Sequence, residues 1–427
     1  MSAAILFGSM AVMIGFGIPI AIVLGVSSAL TLIFSGAPLG VIPSMMQATV
    51  QKFSLLTIPL FVLAGAIMDK GGISKRLINL ADSIIGPVHG GLGYVAVVAA
   101  LFFAAISGSG TATVAAMGSI LIPAMVAQGY DAGFSSALSA ISGSLGTVIP
   151  PSITFIIYGM ITGESIGDLF LSGIIPGLIF GFMLCIMVFI KSKKNGWKGE
   201  TQRASLKEIG RLFLDTIWGL LSPVIVLGGI YSGLFTPTEA AAIAGVYGVI
   251  VGLFIYREIK PSDLIYIMYR SVLMCAPVLL IIGISTGFGR ILTITQVPVM
   301  IADAILGLTS SKILVLLLIN VLLLIVGTFM ETNAAIIILT PILLPIVTRL
   351  GVNPIHFGII VVMNLSIGFI TPPLGANLFM ACQVGEISFD KLARKIWPWI
   401  VVMVALLMLV TYIPQISMAL PEAMGVI

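Results

Sequence analysis

The chain has 427 residues, of which 59% are hydrophobic and 8% charged, with a formal net charge of +4. Soluble domains carry about a quarter charged residues, so this composition excludes a soluble globular protein and calls for many membrane-spanning helices. The positive excess sits in loops between apolar runs, where it orients helices and leaves no footprint for nucleic acid.

Two further classes fall away on motif grounds. Cys185, Cys275 and Cys382 are isolated in apolar segments, without pairing spacing or a Cys/His cluster. No Gly-x-x-x-x-Gly-Lys-Ser/Thr loop is present, so the chain does not draw on ATP, and His-Glu-x-x-His is missing as well.

In chain order, the first apolar run, 5–34, is too long for a signal-peptide core and lacks a basic start or an Ala-x-Ala site. It reads as one long crossing, followed by a glycine- and proline-rich external loop to residue 52. Residues 53–69 cross inward. The stretch 77–88 is too short to span, carries Asn79 and Asp82, and reads as a helix lying on the cytoplasmic interface. His89 is most simply a loop histidine, with a proton relay as the alternative.

The run 92–126 is too long for one crossing and too short for two. It is broken by Ser107-Gly108-Ser109-Gly110-Thr111. Non-helical backbone survives at membrane depth only where protein covers it or where it lines a cavity. The run therefore reads as a re-entrant hairpin whose tip meets an ion or solute. The next helix, 133–160, is interrupted ahead of Pro150-Pro151, which removes two amide donors and frees carbonyls near residues 146–149. A kink is the plain reading. A discontinuous helix whose carbonyls coordinate a cation is the sharper one, and it is preferred because the pattern recurs at 364–373.

A crossing at 169–190 leads to the stretch 191–211, whose seven Lys/Arg place it in the cytoplasm. Residues 206–218 read as an in-plane arm helix or a solvated linker. Crossings follow near 215–232, 237–256 and 271–288. The middle one opens on Thr236-Pro237-Thr238-Glu239, a helix start in which Glu239 favours the N-terminal dipole. A second hairpin, 313–348, has the tip Gly327-Thr328-Phe329-Met330-Glu331-Thr332-Asn333. A second broken helix, 355–382, a crossing at 396–413 and a tail, 414–427, complete the chain.

The chain also contains itself twice. At an offset of 218, Gly15, Pro19 and Pro59 match Gly233, Pro237 and Pro277. At 222, Ser144, Gly146, Pro150-Pro151 and Asp168 meet Ser366, Gly368, Pro372-Pro373 and Asp390. Walking outward from the basic linker brings the first hairpin in from the cytoplasm and the second from the opposite side. Sixteen of the twenty Lys/Arg then lie inside. The expected organisation is a first repeat at 1–190, a linker at 191–214, an inverted second repeat at 215–413 and a periplasmic tail, with a cytoplasmic N-terminus.

These motifs, with Thr147-Val148-Ile149-Pro150-Pro151-Ser152, the stretch 233–241 and the stretch 368–375, resemble the large membrane subunit of tripartite ATP-independent periplasmic (TRAP) transporters, the DctM-like family. The resemblance covers essentially the whole chain. It implies an all-α polytopic membrane protein of the bacterial inner membrane. The implied fold is an inverted-repeat elevator with two re-entrant hairpins and two discontinuous helices, similar to the ion transporter superfamily. It implies Na+-driven import of a carboxylated solute, a C4-dicarboxylate or a sugar acid such as sialic acid. It also implies two partners: a small four-helix membrane subunit on a separate chain and a soluble periplasmic substrate-binding protein.

By position on the family's motifs, one Na+ site would join Ser107, Ser109 and Gly110 to Gly146, Val148 and Pro150. A second would join Gly327, Thr328 and Asn333 to Gly368, Thr371 and Pro372. The solute would lie between the tips, against Thr111, Ser144, Thr147, Thr332, Ser366 and Asn377. Glu331 would steady its hairpin through backbone amides, contact an ion or bind a proton, the first being preferred. Arg290 would recognise an anion or anchor the interface. The competing readings are a stand-alone Na+/anion symporter or antiporter, and an intramembrane serine hydrolase. The hydrolase lacks a base, since His89 and His356 both map to loops near the membrane edges.

Overall fold

Glycine and proline decide where the apolar runs break. The computed structural model describes residues 2–197, 199, 204–309 and 311–426; regular structure among them is helical, and ten helices are long and apolar enough to cross a membrane. Lys198 and Arg203 of the basic linker lie outside the described residues.

The first half opens with α1 (Ser2–Gly15), α2 (Ile20–Ser35), α3 (Val41–Val50) and α4 (Thr57–Lys70). It continues with α5 (Ile73–Ile85), the pair α6 (Gly91–Ser107) and α7 (Gly110–Ala127), and the segments α8 (Ala132–Gly143), α9 (Leu145–Val148) and α10 (Ile153–Thr162). The half closes on α11 (Ile166–Asn195). The second half repeats this order with α12 (Leu206–Tyr231), α13 (Pro237–Ile250), α14 (Pro261–Ile294) and α15 (Val297–Leu308). The pair α16 (Lys312–Phe329) and α17 (Thr332–Arg349) follows, then α18 (Pro354–Gly368), α19 (Ala376–Gly385), α20 (Phe389–Tyr412) and α21 (Gln415–Ala423).

Local chemistry explains the starts. Asp131 accepts the Phe134 amide at 2.9 Å ahead of α8, and Asn353 accepts the Ile355 amide at 2.8 Å ahead of α18. Thr236 and Glu239 form a reciprocal capping box with Pro237 in the first turn, the structural role expected of them.

The expected single helix over 5–34 is two. Gly17 takes a φ of 71°, and Pro19 follows it, so α1 stops at Gly15 and α2 restarts at Ile20. The two pack against each other, as α12 packs on α13. The amino-terminal end of α1 thus returns to the side of residue 36, which removes the basis for a cytoplasmic N-terminus. The signal was present in the repeat: Gly15 and Pro19 match Gly233 and Pro237, which flank the α12–α13 turn.

Smaller differences follow the same rule that apolar surface must be covered. The expected loop before residue 52 holds α3, which packs on α14. The expected arm and crossing at 206–232 form one continuous helix, α12. The tail folds into α21 against α11.

Helix α20 has 24 residues, about 36 Å of rise, and shows how the halves are related. Near its start Lys395 pairs with Asp131 at 3.1 Å, and Trp399 meets Phe134 with ring centroids 5.8 Å apart. Phe134 also touches Trp197, whose carbonyl accepts the Gly90 amide at 3.1 Å, at the base of the α6–α7 pair. At its other end the Tyr412 hydroxyl donates to the Ile313 carbonyl at 3.0 Å, at the base of the α16–α17 pair. The hairpins enter from opposite ends of one helix, so the repeats are inverted.

One apolar core runs through α4, α6, α8, α18 and α20. A second cluster joins α1 and α2 to α14 and α17. Helices pack closely in membranes where small residues let backbones approach. Gly65 of α4 does so here: a Cβ on it would stand 3.2 Å from the Ser107 Cα.

Candidate transport site

The first tip seats on the first break through glycine. Gly108 takes a φ of 60° and closes α6; its carbonyl accepts the Ile153 amide at 3.2 Å. A Cβ on Gly108 would lie 2.7 Å from the Pro151 carbonyl oxygen, and one on Gly146 would lie 2.5 Å from the Ser109 carbonyl oxygen. Only glycine permits this approach of backbone to backbone. Behind the tip, the Thr113 hydroxyl binds the Ser109 carbonyl at 2.8 Å and lies 3.0 Å from the Ser107 hydroxyl.

One of the carbonyls near the break is taken by side chains. Pro150 and Pro151 carry no N–H for the carbonyls four residues before them. The Thr147 carbonyl instead accepts the hydroxyls of Ser152 at 2.6 Å and Thr154 at 2.9 Å. The Val148 carbonyl lies against Gly173 of α11, where a Cβ would stand 2.7 Å from it. Ser109, Gly110 and Gly146 are brought together.

The second tip repeats the seating with other side chains. Gly368 abuts Gly327 so tightly that a Cβ on Gly368 would collide with the Gly327 backbone. Thr328 and Thr371 turn back onto their own chain segments, donating to the carbonyls of Leu324 at 2.8 Å and Ile367 at 2.7 Å. Pro372 is half-buried, whereas Pro150 is buried. Glu331 caps α17: its Oε2 accepts the Ala334 amide at 3.0 Å and its Oε1 accepts Asn333 Nδ2 at 2.8 Å. This is the steadying role preferred from the sequence. Asn333 Oδ1 is buried and finds no partner among the described residues.

Five residues expected to face the solute make buried hydrogen bonds, four of them across to the other repeat and Thr332 within its own. The Ser144 hydroxyl donates to the Ser366 carbonyl at 3.2 Å, so two residues related by the 222-residue offset meet directly. Thr147 Oγ1 bonds to the Ser366 hydroxyl. Asn377 Nδ2 donates to the Ala140 carbonyl and the Ser144 hydroxyl, each at 3.1 Å. Thr332 is buried against α18, its hydroxyl 3.5 Å from the Leu365 carbonyl. Buried hydroxyls and amides at membrane depth satisfy one another, and this takes Ser144, Ser366, Asn377 and Thr332 off the cavity wall.

The two tips share one cavity of about 310 Å³. Its polar side is made by Ser109, Gly110, Thr111, Thr147, Glu331 and Asn333. Its opposite side is apolar, from Ile58 and Val62 of α4 and from Met274, Val278 and Ile281 of α14. The N-termini of α7 and α17 both end on it, bringing their positive dipole ends and unpaired amides. Arg290 is exposed on α14 and is not part of the cavity wall, which favours the anchoring reading. A larger cleft of about 550 Å³, bordered by Lys52, Glu164 and Asp168, touches neither tip.

Sequence reasoning missed several buried polar groups. Asn364 Nδ2 donates to Asn320 Oδ1 at 2.6 Å, and Asn320 Nδ2 donates to the Thr411 hydroxyl at 3.0 Å. His356, expected in an edge loop, is buried in the first turn of α18, with Nδ1 2.7 Å from the Ser417 hydroxyl. Asn353 and Pro354 start the helix just before it, which draws it inside. The available signal for Asn320 was a single amide within the leucine-rich α16.

Comparison with known proteins closes the question of kind. A family model described as the DctM component of the tripartite ATP-independent periplasmic transporter matches residues 7–416. The chain is 48% identical, over 97% of its length, to the isethionate TRAP transporter permease protein DctMQ of Oleidesulfovibrio alaskensis, and it spans 65% of that protein. It is 37% identical to the C4-dicarboxylate TRAP transporter large permease protein DctM of Rhodobacter capsulatus, over 100% of both chains. It is 39% identical to the sialic acid TRAP transporter large permease protein SiaM of Vibrio cholerae, over 88% of both. Among solved structures, the Alcanivorax borkumensis YdaH transporter has the same fold, with a TM-score of 0.64 at 16% identity over 86% of each chain. The chain therefore belongs to the DctM family of tripartite ATP-independent periplasmic transporters, as a multi-pass permease subunit of the inner membrane.

Proposed function

We propose that this subunit imports a small organic anion, carboxylate or sulfonate, together with Na+, and receives the anion from a periplasmic binding protein. The observation that carries the reading is the single cavity between two inverted tips, polar on the tip side and apolar on the α4 and α14 side. An anion between the tips would meet the N-termini of α7 and α17, the Thr111 and Thr147 hydroxyls and the Asn333 amide. Na+ would sit behind each tip on hydroxyl, amide and carbonyl oxygens, hard ligands without formal charge that release the ion readily. The first set is Ser107, Ser109 and Gly146; the second is Asn333 with Gly327 and Gly368.

The apolar wall offers no hydrogen bonds that would resist sliding. This supports an elevator step in which the hairpins and broken helices move as a body against α4 and α14. The relatives' names give isethionate, C4-dicarboxylate and sialic acid as solutes, all organic anions. A small membrane subunit completes the assembly in this reading. With α1 and α2 packed as a hairpin, this reading puts the amino-terminal end of α1 on the periplasmic side.

Reconstitution tests the proposal. In proteoliposomes holding both membrane subunits, with binding protein outside, labelled anion should accumulate only under an inward Na+ gradient. Equal uptake with choline in place of Na+ overturns the coupling. Uptake without binding protein selects a stand-alone symporter.

A further inference from the structure

The two tips carry the same link between the residue that caps the inner helix and the residue two places on. In the first tip, the Ser109 hydroxyl lies 3.4 Å from the Thr111 hydroxyl, and either oxygen can donate. In the second, Glu331 Oε1 holds Asn333 Nδ2 at 2.8 Å. The offset of 222 makes Glu331 the counterpart of Ser109, and Asn333 that of Thr111.

The second link has a direction that the first lacks. Both Glu331 oxygens already accept, one from the Ala334 amide and one from Asn333. A carboxylate that only accepts can hold an amide only by its NH2 end. Asn333 must then present Oδ1 away from Glu331, and that oxygen is buried in the cavity wall without a partner among the described residues. A buried, unpartnered amide oxygen is costly unless something fills its lone pairs. No Lys, Arg or His lines the cavity among the described residues, so no cationic side chain on its wall offsets the Glu331 charge.

We infer that Glu331 is a positioning residue: it locks the Asn333 side chain so that Oδ1 is offered to Na+, and its charge strengthens that oxygen's hold on the ion. The inference rests on the sodium-coupled reading above. It gives Glu331 a role beyond capping α17 and makes the second tip the more tightly set of the two. Partners that orient a metal's ligand are worth 10- to 100-fold in affinity.

The experiment uses the purified, reconstituted complex and Na+ alone as probe. It reads the Na+ concentration for half-maximal thermal stabilisation and for half-maximal uptake. Glu331→Gln should raise both by about tenfold, and Asn333→Ala by a similar factor. The double variant should be no worse than Asn333→Ala alone, because removing the ligand removes what Glu331 positions. Asn333→Ala leaves the Ala334 cap in place, so it reads the ion site even if Glu331→Gln folds poorly. If Glu331 only caps the helix, Glu331→Gln lowers the melting temperature in Na+-free buffer but leaves both Na+ midpoints unmoved; that result overturns the inference. Additive effects of the two substitutions overturn it as well. A wild type that shows no Na+ response overturns the coupling reading itself, which separates the two failures.

Discussion

The first tip turns on Gly108, left-handed with a φ of 60°, and ends at Ser109, whose hydroxyl holds no amide of α7 and lies 3.4 Å from the Thr111 hydroxyl. The second turns on Met330 in extended backbone and ends at Glu331, whose carboxylate holds both an amide of α17 and the side chain of Asn333. Yet α7 and α17 have the same 18-residue length and begin 222 positions apart, and each tip seats on a glycine of its broken helix. Duplication has kept the helix register and the glycine contacts while the groups that would meet cargo diverged. The contrast teaches that the seating is a backbone property, tolerant of side-chain change, and that ion affinity is a side-chain property set separately in each half.

Breaking the seating should have the largest effect. Gly146→Ala and Gly368→Ala each drive a methyl into backbone, so each should cost about 2 kcal/mol of stability. Near-complete loss of uptake should accompany that in membranes that still contain the protein. Wild-type uptake from either variant would show that one tip works without close backbone approach.

The side-chain half of the comparison is sharper but smaller. Thr111→Ala removes the partner of the Ser109 hydroxyl and should raise the Na+ midpoint only about threefold, the net worth of one neutral hydrogen bond, against the larger loss expected at Asn333. Equal effects at the two positions would erase the distinction between the tips. Ser144→Ala and Ser366→Ala probe the line where the halves meet. Each should lower stability by about 1 kcal/mol and leave the solute's half-saturation unchanged. A changed half-saturation with an unchanged melting temperature would put them back on the solute's path.

The smallest effect concerns Asp131, which caps α8 and pairs with Lys395, where its counterpart Asn353 caps α18 without charge. Burial pushes the Asp131 carboxyl up, but the Phe134 amide and the Lys395 ammonium outweigh it and hold it below the usual carboxylate range. A depressed carboxyl stabilises the fold above its unfolded value and loses that contribution as pH falls through the folded one. Thermal scans should show Asp131→Asn costing about 0.5 kcal/mol at neutral pH, a modest amount for a half-exposed pair. The difference should begin to shrink as pH falls below about 4 and vanish only once the folded-state carboxyl is protonated. Asn353→Ala should show no such pH dependence.

Much of this arrangement was legible because lipid makes polarity conspicuous. A Ser-Gly-Ser-Gly or Glu-Thr-Asn interruption in an apolar run has few physical explanations, so both tips and both Pro-Pro breaks could be placed from the chain alone. Charge bias in the loops was enough to orient the halves oppositely. The split between α1 and α2 was readable only by comparing the two copies, since Gly17 and Pro19 also fit one kinked crossing. Asn320 went unread, and His356 was placed in an edge loop, because a lone polar residue says that it needs a partner without saying which helix supplies it.

The amino-acid sequence by itself determined the class of molecule, the duplication and the positions of the irregular segments, because these follow from local hydropathy and from what Gly and Pro allow a backbone to do. Tertiary structure alone decided which oxygens point where. Ser144 and Ser366 read as solute ligands from either copy, but they sit where the copies meet: the Ser144 hydroxyl donates to the Ser366 carbonyl, and the Ser366 hydroxyl bonds to Thr147. A hydroxyl's loyalty depends on what lies across the helix from it, and that is settled only when the inverted halves pack.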